Sequence, residues 1–201
     1  MNAPASEGYV LSREHRGEHF LLLTLLSPQG LIRPMLRLPG KKQIKAPPDL
    51  FDRIEWVFEP KASGSDGPLF MRDWRLLNHY SGLARHYNGL LHATELSRLI
   101  MTHGPHMADG QAAYRVLERA LPAWADGAEA GAVLFKALYL LARDEGYPVK
   151  EQWWARLSSN EQHQARALIN RPLDANPLPP AEVETLLNRL RHWMQTETDL
   201  G

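Results

Sequence analysis

The chain has no cysteine. That excludes disulfides, thiolate nucleophiles and every zinc site that needs sulfur, and it fits a reducing compartment. There is no surplus of either charge, with 23 Lys and Arg against 23 Asp and Glu. Overall charge therefore points to no acidic or basic partner, and any such signal must lie in the distribution. No run reaches about 18 apolar residues, and the opening MNAPASEG has no basic segment followed by an apolar stretch. No membrane partner and a cytoplasmic location are expected. A Gly-rich phosphate loop, a Gly-x-Ser-x-Gly elbow and a nucleophile motif are all missing. No catalytic residue, no cofactor and no enzymatic activity are expected.

What is present falls into two halves with different periods. The 201 residues, 44% hydrophobic and 23% charged, suffice for one sizeable core or two small ones. From residue 8 to about 77, short runs rich in Val, Ile, Leu and aromatics are separated by turn residues, which predicts strands at 8 to 13, 18 to 26, 30 to 38, 53 to 59 and 67 to 76. Five short antiparallel strands in about 70 residues suit a small closed barrel such as the OB-fold. Beyond residue 78 the period is helical, over 79 to 102, 109 to 125, 129 to 145, 158 to 170 and 180 to 196. Asp109 and Ser159 read as N-caps, and Gly104, Gly127 and Gly146 as stops. The expected class is α+β in two domains: an OB-fold barrel that binds DNA over 1 to 77, and an all-α domain that binds a partner over 78 to 201. The stretch RPLDANPLPPAE (171 to 182) reads as a linker into the last helix.

Charge is unevenly spread in the first half. On a strand over 30 to 38, Leu31, Arg33, Met35 and Arg37 share one face, and Ile32, Pro34, Leu36 and Leu38 share the other, which is the core candidate. Pro34 marks a bulge or an edge. Between 13 and 45 the cations are Arg13, Arg16, Arg33, Arg37, Lys41, Lys42 and Lys45, against Glu14 and Glu18, a local excess of five. A basic barrel face with apolar side chains among the cations suits a nucleic-acid backbone. Single strands are preferred over duplex, because nothing resembles a recognition helix. The bland alternative is a solvated strand face, and stacking aromatics are few in this half.

In the second half, AAYRVLERALPAW (112 to 124) and AVLFKALYLLARDEGY (132 to 147) set Arg115, Arg119, Lys136 and Arg143 among apolar turns. An apolar groove rimmed by these cations would receive an acidic, hydrophobic peptide end. The alternative is that the apolar positions are core and the cations a solvated rim. Nine histidines, among them His79, His86, His92, His103 and His106, show no metal-binding spacing, so no metal is expected.

The segment YVLSREHRGEHFLLLTLLSPQGLIRPMLRLPGKK (9 to 42) carries a strand ending in a basic residue, a turn, a Glu heading an apolar strand, and a Gly turn into a strand that ends in a basic, Gly-containing loop. With LLHATELSRLI (90 to 100) and VLFKALYLLARDEGYPV (133 to 149), it resembles the RecO recombination mediators of bacterial DNA repair. The resemblance implies an N-terminal OB-fold and a helical domain that work without covalent chemistry. It further implies binding of single-stranded and duplex DNA at the nucleoid, annealing of strands coated with single-strand binding protein, and loading of recombinase with a RecR-type partner. The DNA-binding positions it implies are Arg13, Arg33, Arg37, Lys41 and Lys42, with Gly30 and Gly40 serving turns, and it implies that the groove takes the C-terminal tail of single-strand binding protein. Many family members insert a four-cysteine zinc module after the Gly-Tyr motif. Here Gly146 and Tyr147 run into VKEQWWARLSSNEQ, so this would be a short member without zinc. The competing class is a protein-interaction adaptor whose OB-fold binds no DNA.

Overall fold

In a computed structural model, residues 6–38, 46–60, 67–107, 110–172 and 178–200 are described. They form a mixed α+β protein of two compact units, Met1–His79 and Tyr80–Gly201. No helix among the described residues is long and apolar enough to cross a membrane.

The first unit is a six-stranded sheet: β1 (Ser6–His15), β2 (Phe20–Ser27), β3 (Gly30–Ile32), β4 (Met35–Arg37), β5 (Arg53–Phe58) and β6 (Phe70–Asn78). Five strands were expected. The sixth arises because the third divides at Arg33 and Pro34, where proline has no N–H to donate, although the Pro34 carbonyl still accepts from the Leu23 amide at 3.0 Å. β1 runs on to His15, through part of the expected turn, and the last strand covers 70 to 78 rather than 67 to 76.

The pairings close on themselves. β1 pairs antiparallel with β2 and β5, β5 with β6, and β2 with β3 and β4, while β4 meets β6 in parallel. β1 pairs with β2 along one edge and with β5 along the other, and its register with β2 slips between Val10 and Ser12, where one extra residue bends the strand. Gly8 sits just before this bend, where a Cβ would collide with the Leu26 carbonyl. Period-two alternation sends Leu21, Leu23 and Leu25 inward with Val10, Leu36, Ile54, Trp56 and Met71 to form the core, each such apolar side chain contributing about 1.5–3 kcal/mol by burial. Ile32 and Leu38 pack against this core, so the predicted alternation over 30 to 38 holds.

The second unit contains α1 (Tyr87–His103), α2 (Gly110–Ala125), α3 (Ala130–Asp144), α4 (Ser159–Asn170) and α5 (Pro180–Glu197). The first helix begins at Tyr87 rather than 79, since 3-10 turns occupy Ser81–Arg85. α3 is apolar almost all round and packs against α1, α2, α4 and α5. The Glu129 carboxylate caps it, accepting from the Gly131 and Ala132 amides at 3.0 and 2.6 Å. The cap of α4 is Ser158, not Ser159, with Glu161 completing a reciprocal capping box. Asp109 lies outside the described residues. Gly127 and Gly146 adopt the left-handed conformation that ends a helix (φ +83° and +86°), whereas Gly104 stays right-handed and leads into a 3-10 turn. Trp153 is buried against Phe135 and Tyr139, at ring distances of 5.8 and 6.2 Å.

Candidate nucleic-acid interface and peptide groove

Cross-strand partners share a face, so the register of the sheet sorts the arginines. Phe20 stands opposite Arg37, Leu22 opposite Met35 and Glu14, and Met35 opposite Phe70. Leu21, Leu36 and Met71 fill the core, which puts Phe20, Leu22, Met35, Arg37, Phe70 and Glu14 on the outer face. The four are half-buried apolar side chains, with Arg37 exposed beside them.

The four described arginines of the predicted DNA-binding set each have an acidic partner. Arg16 and Arg33 both reach Glu14, at 2.9 and 3.3 Å. Arg37 lies 3.7 Å from Glu59 and 5.2 Å from the centre of the Phe70 ring. Arg13 faces the other way, opposite core residue Leu23, and donates to the Pro48 carbonyl at 2.9 Å and to Asp49 at 2.8 Å. The structure thus gathers Arg16, Arg33 and Arg37 on one face and leaves Arg13 apart. Lys41, Lys42, Lys45 and Gly40 lie outside the described residues.

The Arg13 contact belongs to a tied loop. Buried Asp52 accepts from the Asp49 amide at 2.7 Å and meets His79 Nδ1 at 2.6 Å. Between them Phe51 is held at φ +66°, a costly conformation for a bulky residue. The Phe51 amide donates to the Val10 carbonyl at 2.8 Å, which holds the loop on the bend of β1.

The second unit carries a groove of about 370 Å³ between α2 and α3, lined by Val116, Ala120, Val133, Ala137, Leu140 and Pro172, with Arg119 and Lys136 at its rim. Among the described residues no carboxylate lines it. Lys136 donates to the Arg171 carbonyl at 2.7 Å. Burial, with the nearby Arg119 charge adding to it, pushes the Lys136 ammonium below its usual range. Of four cations expected at such a groove, two are there. Arg115 turns to Gln111 (3.3 Å) on its own helix, and Arg143 pairs with Asp144 at 2.7 Å.

Sequence reasoning missed Asp49 and Glu59 as partners of Arg13 and Arg37, because they come from later segments. It also missed Phe70 beside Arg37, whose signal was its place at the head of a strand. Among the described residues no cluster of three or more His, Asp or Glu side chains suits a metal ion. Comparison with protein-family models and with curated proteins gives no match.

Proposed function

We propose that the chain is a RecO-type mediator of DNA repair and recombination. In this reading the first unit is an OB-fold that binds single-stranded DNA. The helical unit holds the acidic C-terminal tail of single-strand binding protein, and a RecR-type partner joins to load recombinase. Strands are brought together without covalent chemistry. The observation that carries the reading is the cyclic strand pairing, in which β1 joins both β2 and β5 and the ring closes through parallel β4 and β6. That connectivity suits a five-stranded Greek-key barrel with its third strand broken, a scaffold used for oligonucleotides. The groove adds support, since an apolar trough with two cations and, among the described residues, no acid suits a peptide ending in apolar residues and a carboxylate.

A second reading, the adaptor that binds no DNA, is favoured by one observation: Arg13, Arg16, Arg33 and Arg37 each have a carboxylate partner. Fluorescence anisotropy of a labelled single-stranded oligonucleotide, at low and then physiological salt, separates the two. The mediator reading expects micromolar or tighter binding whose logarithm falls with log salt at a slope near about −3, from about −0.7 for each of four or five phosphates. No binding at low salt would establish the adaptor.

A further inference from the structure

We infer that Phe20, Phe70 and Arg37 form a base-stacking subsite, which makes the first unit select unpaired nucleic-acid strands by their bases as well as their phosphates. The inference rests on the mediator reading and names what that site grips.

The three residues come from separate strands, and the register brings them together. Phe20 opens β2 and faces Arg37 at the end of β4, while Phe70 opens β6 beside Met35. The two rings have centroids 6.0 Å apart, tilted by 59°, so they do not form one slab but offer faces to successive bases of a strand that turns between them. The Arg37 guanidinium lies over the Phe70 ring. A guanidinium at cation–π distance from an aromatic ring adds a second group whose plane can stack on a base.

Two further features fit this use. Arg37 is 64% exposed and its contact with Glu59 is a loose 3.7 Å, well beyond the about 2.7–2.9 Å of a strong charge-assisted hydrogen bond. A phosphate can replace that carboxylate at small cost, which is not so for Arg13 with its two short bonds. Phe20 and Phe70 also open the strands that follow the β1-to-β2 and β5-to-β6 connections in chain order, and the corresponding connections of an oligonucleotide-binding barrel flank its ligand face. Paired bases are already stacked inside a duplex, so a patch of this kind discriminates against it.

The test uses the full chain with four labelled probes: an oligothymidylate, an oligouridylate, an abasic strand of equal length and a duplex. The Phe20→Leu/Phe70→Leu double variant keeps apolar bulk and removes the π faces. Expected are about tenfold weaker binding of oligothymidylate by the variant, an unchanged salt slope, and a similar deficit when unmodified protein meets the abasic strand. Equal loss on the DNA and RNA strands would identify the shared base face as what is read, and loss on one alone would assign the subsite to that nucleic acid. If the protein binds oligothymidylate and abasic strand equally well, the stacking subsite is overturned and phosphate binding stands. If it binds no strand at low salt, both are overturned. The abasic comparison needs no variant, so a folding defect in the double mutant cannot hide the answer.

Discussion

The two units treat their cations in opposite ways. On the sheet, Arg16, Arg33 and Arg37 of the candidate face are each met by an acid, Glu14 serving two of them and Glu59 one, and Arg13, which faces the other way, is met by Asp49. In the helical groove, Arg119 and Lys136 stand together with no lining carboxylate among the described residues, close enough that one depresses the proton affinity of the other. Formal charge along the chain suggests the reverse order, with the excess in the first half. Among the described residues the order differs, because the sheet arginines pair with Glu14 of their own segment and with Asp49 and Glu59 of later ones, while the groove's two cations come from facing helices. On the proposed function, an anionic peptide end would gain more per charge at the groove than a phosphate would at the described arginines, where it must first displace a carboxylate.

The sharpest break of this comparison is the Arg119→Ala/Lys136→Ala variant. Its affinity for a peptide ending in acidic and apolar residues should fall by about a hundredfold, two charge-assisted contacts being lost, while oligonucleotide affinity stays as it was. Isothermal titration with both ligands checks this, and equal loss of both would erase the distinction between the units. Next in size is Arg33→Ala/Arg37→Ala, which should flatten the salt slope of strand binding by about 1 to 1.5 units. An unchanged slope would assign the phosphates to other cations.

Smaller effects test what pairing does for a cation. Arg191 forks onto Glu95 with two bonds of 2.7 Å, joining α5 to α1. Burial raises the Glu95 carboxyl, but hydrogen bonds from His92 and Arg191 and the Arg191 charge outweigh it and leave it below its usual range. The folded state thus holds this proton more weakly than the unfolded chain does. The stabilisation is complete above the ordinary carboxylate range and is lost as pH falls through the lowered value. Arg191→Ala should cost about 1 kcal/mol near neutrality, given partial exposure, and should flatten the acid limb of a thermal-unfolding profile.

The smallest effect belongs to Lys136→Met. The lowered Lys136 proton affinity means that the charged form is held at a cost at neutral pH, relieved as pH rises through the depressed value toward the ordinary lysine range. Removing the charge should raise stability slightly, within about 0.5 kcal/mol, and should abolish the rise on the alkaline side. Differential scanning calorimetry against pH reads both.

Much of the architecture was legible because it rests on local periodicity. Leu21, Leu23 and Leu25 announce a two-residue repeat, and the ends of α2, α3 and α4 fall within a residue of where pattern and capping place them. The first helix was drawn too long because residues 79 to 86 are polar and apolar in helical proportion, yet fold into tighter 3-10 turns. The parallel pairing of β4 with β6 left no local trace, since it joins residues 35 positions apart in chain order. For the same reason the candidate face was half legible. Alternation found Arg33 and Arg37, but neither Glu59 nor Phe70 could be assigned to Arg37 without knowing which strand lies beside which.

That parallel closure bears on how the molecule is made. Helices of the second unit gain most of their bonds within a few residues, whereas β1 must hold one edge open until β5 exists and β4 must wait for β6. At a synthesis rate of about 5–20 residues per second, several seconds separate the first strand from the last, and such long-range contacts are the slow ones to form. Through that interval the backbone N–H and C=O groups along those edges of β1 and β4 lack their partner strands. Shielding those two edges during translation is therefore expected to favour correct folding.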